Sequence, residues 1–295
     1  MATLKEVKLK IVGVKKTRQI TSAMKMVATS RLRGAQMAME AFRPYAAKYA
    51  EVLGSLAQKA GDNASPLLVP REEVKKIHIV LCTSDRGLCG GFNISLIEKA
   101  IAFIEEKQQA GDVEISITNF GKKGRDWARN EGKNIADQYL GVVGSKFGFN
   151  IASVSGQKMI NQFLVGEYDE VYIIYSRFVS MARQIPTLKQ ILPIPPIEVV
   201  EEEEGAPYQA EHICEPSPDA LLGEMLPKNV FIQIYSGLLE TSTSEHAARM
   251  SAMDNATKAC KDMINDLQRL YNKRRQAAIT ADLMDIVGGA EALKG

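Results

Sequence analysis

At 295 residues, 45% hydrophobic and 24% charged, the chain has the make-up of a soluble protein of one large domain or two small ones. No run approaches the roughly 20 apolar residues that a membrane span needs, and the N-terminus, MATLKEVKLKIVG, lacks the continuous apolar core of a signal peptide. The net charge of +2 conceals a polarity: residues 1–60 carry twelve Lys and Arg against three Asp and Glu, whereas residues 198–224 carry nine acidic groups and no basic one.

The first segment, 1–60, reads as one long helix spanning roughly 80 Å. Leu4, Val7, Ile11 and Val14, then Ala28, Leu32, Ala35, Met39, Phe42, Ala46, Tyr49, Leu53 and Leu56, follow a seven-residue repeat, the pattern of a coiled coil. The repeat breaks once: Arg18, Thr21 and Lys25 occupy seam positions, while Ile20, Met24 and Val27 sit one step round. The apolar stripe moves to another face there, which predicts a change of partner. The basic charge of this arm predicts an anionic partner, nucleic acid or an acidic protein surface.

The middle segment, 74–197, alternates strand and helix patterns. Strand-like runs are 77–83, 113–120, 170–178 and 184–194; helix-like runs are 93–107, the region 121–130, and 152–164. Short connections between them predict a small α/β sheet with helices on its faces, long enough to bury its own core. An acidic, proline-rich connection, 198–217, leads to a second long helix, 218–295. Its stretch ETSTSEHAAR (240–249) is polar almost all round, and Met253, Thr257, Cys260, Ile264, Leu267 and Tyr271 resume a heptad. The expected fold is therefore α/β: a long antiparallel coiled coil of N- and C-terminal helices carrying a small central Rossmann-like domain.

Between a strand and a helix lies SDRGLCGGFN (84–93), where a phosphate could sit on backbone N–H groups. A P-loop needs GxxxxGK[ST], and GLCGGFNI supplies neither the lysine nor the hydroxyl; no glycine pair here has dinucleotide GxGxxG spacing. Gly87, Gly90 and Gly91 read instead as a structural turn needing positive φ and close backbone packing, with Asp85 and Arg86 satisfying backbone. Cys82, Cys89, Cys214 and Cys260 share no metal-ligand spacing with His78, His212 and His246. No catalytic residue, cofactor or metal is predicted. A DNA-binding coiled coil would place its basic residues on one helix face, but they lie on several; a small-molecule enzyme would need a pocket of convergent polar groups.

Four stretches, in order along the whole chain, resemble the gamma subunit of F-type ATP synthases: KTRQITSAMKMVATSRLRGAQ (16–36), SDRGLCGGFN (84–93), EPSPDALL (215–222) and LYNKRRQAAITADLMDIVGGAEAL (270–293). The resemblance implies a non-catalytic rotor shaft, one copy per complex, turning inside a ring of alpha and beta subunits. The epsilon subunit and the membrane c-ring would hold its central domain, and no nucleic acid would be bound. Proton flow would be coupled to ATP synthesis or hydrolysis on beta, at the cytoplasmic face of a bacterial inner membrane. By the same resemblance Met24, Lys25 and Arg249 lie where the shaft meets beta's acidic lever, and Arg275, Gln276 and Thr280, with Asp282 and Asp285 beside them, meet a beta loop. Asp282 departs from the family's usual glutamate. Cys214 stands without a partner a few residues away, so the dithiol switch of chloroplast members is not expected.

Overall fold

The computed structural model describes residues 3–60, 65–195 and 217–292. The acidic connection, with Cys214 and the start of EPSPDALL, lies outside the described residues. Helix α1 (Leu4–Ala60) opens on a reciprocal cap: the Thr3 N–H donates to Glu6 Oε2 at 2.8 Å, and the Glu6 N–H donates to Thr3 Oγ1 at 3.3 Å. The C-terminal helix, Pro218–Ala292, begins with proline at its first position, and the Ser217 hydroxyl accepts the Ala220 N–H. In chain order the elements between are β1 (Lys76–Cys82), α2 (Phe92–Ala110), β2 (Glu114–Phe120), α3 (Lys122–Asn130), β3 (Asn134–Tyr139), α4 (Phe149–Leu164), β4 (Glu170–Phe178) and β5 (Gln184–Leu192), which makes the C-terminal helix α5.

The chain divides into two compact units, residues 1–28 with 250–295, and residues 29–249. In the first, α1 and α5 pair antiparallel: Lys25 Nζ donates to Asp254 Oδ1 at 2.6 Å, and the Thr21 and Thr257 hydroxyls meet at 2.8 Å. Val7, Ile11, Met253 and Ile264 are buried in this seam. The seam does not turn to a new face where its apolar repeat breaks. Thr21 is buried at its expected position, and the displaced apolar side chains Ile20 and Val27 are 60% and 54% exposed. Polar pairs inside the coil hold one register of the two helices, because a slipped register would leave them unpaired.

The second unit contains a five-stranded sheet of order β3-β2-β1-β4-β5, parallel except for β5. Near-continuous apolar strands are what a sheet covered on both faces requires. Ile77, Ile79 and Leu81 pack with Leu96, Ala100 and Phe103 of α2 and with Ala128 of α3. Val80, Cys82, Val171 and Ile173 face α4 on the opposite side. This second layer also takes Leu53 and Leu56 from α1 and Leu222, Leu226, Val230, Ile234 and Leu238 from α5. The middle segment thus does not bury its core alone: the long helices supply part of one layer, each such side chain contributing about 1.5–3 kcal/mol. Strand β3 was not legible as a strand, because NIADQY sits at the sheet edge and alternates exposed with half-buried residues.

His78, on β1, is fully buried, stacked on Tyr168 at 4.1 Å between centroids. Its ring nitrogens lie 2.7 Å from Ser116 Oγ and 2.9 Å from Thr118 Oγ1. Burial, with Lys158 nearby, depresses its pKa from 6.5 to about 3. The folded state therefore refuses a proton that the unfolded chain accepts, so the contribution is complete above pH 6.5 and is lost progressively as pH falls toward 3. Urea unfolding at pH 7 and pH 5 should show the wild type losing about 2 kcal/mol more than His78→Phe over that interval. Equal losses in both proteins would mean that His78 is not the group responsible.

Candidate functional site

A doubly wound sheet presents its ligand crevice at the carboxyl ends of the strands, where the strand order reverses. Here that point lies between β1 and β4, and SDRGLCGGFN is the loop leaving β1. The loop is braced by its own buried polar side chains. Asn93 Oδ1 accepts the Ser84 N–H at 2.9 Å, Asn93 Nδ2 donates to Ser84 Oγ at 2.8 Å and contacts Cys89 Sγ at 3.2 Å. Asp85 accepts the Lys122 N–H at 3.0 Å, at the start of α3, and the Gly141 N–H at 2.9 Å. It satisfies backbone, as its position in the sequence implied.

Of the three glycines, only Gly90 has the expected positive φ, 61°; Leu88 has the same sign at 65°, and Gly91 lies at −79°. A Cβ at Gly91 would meet nothing within 4 Å, and one at Gly87 only the end of Lys123 at 4.0 Å. Close backbone packing belongs instead to Gly121, with φ 106°, where a Cβ would collide with the Thr83 carbonyl oxygen.

What fills the crevice is α5. Strand β4 overruns β1, whose last paired residue is Leu81, opposite Ile174. The backbone groups of Ser176 and Phe178 on that open edge need partners. Thr241 Oγ1 accepts the Ser176 N–H at 3.3 Å, Ser244 Oγ donates to the Ser176 carbonyl at 3.1 Å, and Glu240 Oε2 accepts the Phe178 N–H at 3.2 Å. Ser242 Oγ accepts the Gly144 N–H at 3.3 Å. The polar stretch 240–249 is therefore buried over Thr241–Ala247, whereas a helix polar all round ordinarily faces solvent.

Arg249 ends this contact. Its side chain, 12% exposed, pairs with Glu245, 3% exposed, and its Nη2 donates to the carbonyl oxygen of Gly87 at 3.2 Å and lies 3.5 Å from that of Arg86. The loop thus turns carbonyls toward a guanidinium, the reverse of the N–H groups a phosphate requires. A cavity of about 280 Å³ beside it is lined by Arg31 and Arg86 but also by Asp85 and Glu245, whose carboxylates oppose an anionic guest.

The remaining residues singled out in the sequence fall elsewhere. Met24 is half-buried in α1 and Lys25 is 43% exposed, paired with Asp254. Hydrogen bonds from Lys25 and then Lys258 hold the Asp254 carboxyl at about 2. Arg275, Gln276, Thr280, Asp282 and Asp285 are exposed on α5, with the Thr280 hydroxyl donating to the Gln276 carbonyl at 2.9 Å. Sequence reasoning missed Asp254 and Glu245. For Asp254 a signal existed, since a lysine in a coiled-coil seam asks for an acid on the facing helix; for Glu245 none did. Cys82, Cys89 and Cys260 are free thiols. Among the described residues, no group of three or more His, Cys, Asp or Glu could hold a metal ion, and no helix is long and apolar enough to cross a membrane.

Among solved structures, a chain of the Euglena gracilis mitochondrial ATP synthase rotor matches 94% of this chain and 98% of its own length, with a TM-score of 0.65 at 20% identity. A chain from the central stalk and c-ring of the Tetrahymena thermophila mitochondrial ATP synthase matches 80% of this chain and 99% of its own, with a TM-score of 0.58 at 22% identity. The fold is that of central-stalk chains of ATP synthases. A family model described as ATP synthase covers residues 3–293. The ATP synthase gamma chain of Desulforapulum autotrophicum is 69% identical over 99% of this chain and all of that one, and that of Desulfosudis oleivorans is 66% identical over the whole of both. The chain belongs to the ATP synthase gamma-chain family, a non-catalytic subunit of an enzyme whose catalysis resides on beta.

If Arg249 serves first to hold Glu245 and the loop, Arg249→Met should cost the free chain about 3–5 kcal/mol, because a buried carboxylate loses its partner. Pairing it with Glu245→Gln should recover most of that loss in a thermal or urea melt. A single substitution that leaves the melt unchanged would make Arg249 a surface group available to other subunits.

Proposed function

We propose that this chain is the rotor shaft that couples ion flow through the membrane sector to ATP synthesis or hydrolysis on the beta subunits. In this reading one copy turns inside an alpha/beta ring, with the epsilon subunit and the c-ring holding the sheet-bearing unit. Its place is peripheral, at the cytoplasmic face of a bacterial inner membrane. The full-length likeness to gamma chains carries the reading.

The first unit has the surface this role requires. Ile20, Met26 and Val27 on α1, and Ile279, Leu283, Met284, Ile286 and Val287 on α5, are each at least half exposed. Apolar surface of that extent marks a contact with another protein. Arg18, Lys258 and Lys261 line one groove together with Ser22 and Thr257. Asp254, shared between Lys25 and Lys258, leaves the groove net positive, which suits an acidic lever on beta.

Three identical beta subunits need something to make their nucleotide affinities unequal. An asymmetric shaft does this by contacting each differently, and it shifts each equilibrium only by the difference in its contact free energies. Met24, Lys25 and Arg249 are the proposed contacts to the lever, and Arg275, Gln276, Thr280, Asp282 and Asp285 those to a beta loop. Exposed polar pairs contribute under about 1 kcal/mol each, less than about fivefold in rate, so the coupling is distributed.

The test is to combine the chain with alpha and beta subunits of the same organism and measure ATP hydrolysis. One copy should join each ring and switch on sustained multisite turnover. Replacing Arg275, Gln276 and Thr280 by alanine together should then lower turnover more than any one replacement, without loss of assembly. A chain that neither joins the ring nor alters turnover would refute the reading.

A further inference from the structure

A cavity of about 430 Å³ lies within the second unit, between the β4–β5 edge of the sheet and the two long helices. Its size falls in the range of small-molecule sites. Its lining includes the polar side chains of Tyr175 on β4, Lys189 on β5, and Asn229, Gln233 and Ser236 on α5. Asn229 and Gln233, four residues apart, and Ser236, three further on, share one face of α5. Ile173 and Ile194 form apolar wall.

Asn229 is 6% exposed, Gln233 and Ser236 are half-buried and Lys189 is exposed, and no hydrogen bond or ion pair joins their side chains to the described residues. Gln233 Oε1 is buried with no donor in reach. Native interiors pair such atoms, so this one carbonyl oxygen on the cavity wall is an acceptor left open for a donor. Lys189 is exposed on β5, yet the protein packed along its stem lowers its pKa by desolvation, with the Glu240 carboxylate pulling the other way. An anion beside the ammonium would relieve that.

We propose that this cavity binds a small amphipathic monocarboxylate bearing one hydrogen-bond donor, such as a medium-chain hydroxy acid. Lys189 pairs with the carboxylate, and the amides of Asn229 and Gln233 take the remaining polar atoms, with Gln233 Oε1 accepting from the hydroxyl. The isoleucine wall takes the alkyl tail. One lysine near Glu240 matches a single negative charge and leaves a phosphate dianion uncompensated. No covalent step is involved, and the site is independent of the contacts to other subunits proposed above.

The test uses the full chain with its lysines ¹³C-dimethylated, which keeps their charge. The Lys189 resonance is identified by its absence in Lys189→Met. Adding 3-hydroxyoctanoate should move that resonance saturably and raise the pKa read from it. Octanoate, lacking the donor, should bind several-fold more weakly, and 1,3-octanediol, lacking the charge, at least tenfold more weakly. Ala50→Leu, which fills the cavity from α1 with a residue of high helix propensity, should abolish the shift without lowering the melting temperature. A Lys189 resonance unmoved by millimolar 3-hydroxyoctanoate overturns the proposal. So does a shift that persists in Ala50→Leu, or one that the diol reproduces at equal concentration.

Discussion

The structure turns on the edge that β4 leaves open when it runs past β1. Backbone N–H and C=O groups withdrawn from water must be paired, and no strand is present to pair Ser176 and Phe178 on that side. Helix α5 does so with hydroxyl and carboxylate side chains, and this explains why the mostly polar run Thr241–Ala247 can lie in a protein interior. The same contact closes the crevice in which a doubly wound sheet would hold a nucleotide. It also fixes α5 against the loop that leaves β1, through Arg249 and Glu245. A fold with nucleotide-binding topology is thereby converted into a mounting for a helix.

Within the first unit a second constraint operates. Thr21, Lys25, Asp254 and Thr257 place polar groups in a coiled-coil seam that would be more strongly driven by apolar ones. They define register and orientation, while the apolar side chains displaced from the seam face outward. The seam residues and the exposed apolar residues thus lie on different faces of α1.

Much of the fold was legible from residues alone. Both long helices declared themselves by heptads, and four of the five strands by runs at strand spacing with short connections between them. Strand β3 was hidden because an edge strand with one half-buried face has no apolar run to display. The burial of 240–249 was hidden for a different reason. Hydropathy reports the cost of losing water and carries no information about backbone acceptors and donors that another segment brings. The glycine loop was half legible: its motif failures excluded the phosphate chemistry, but the positions needing glycine were misplaced, since Gly121 is set by an approach to Thr83 from elsewhere in the chain. The proposed contact residues on α1 and α5 came from family resemblance. Those from Arg275 to Asp285 are exposed, whereas Met24 is half-buried, Lys25 is paired with Asp254, and Arg249 is committed to Glu245 and the loop.

The fastening between α5 and the sheet is addressed to main-chain atoms: the Ser176 amide and carbonyl, the Phe178 and Gly144 amides, and the Arg86 and Gly87 carbonyls. Those atoms are present whatever side chain the position carries, the N–H that proline lacks excepted. Exchanges of residue type at 86–87 or 176–178 therefore leave the fastening intact so long as the backbone path is kept. Inserting or deleting a single residue in either segment displaces every acceptor and donor at once. At this edge the quantity under constraint is chain length, and spelling is comparatively free.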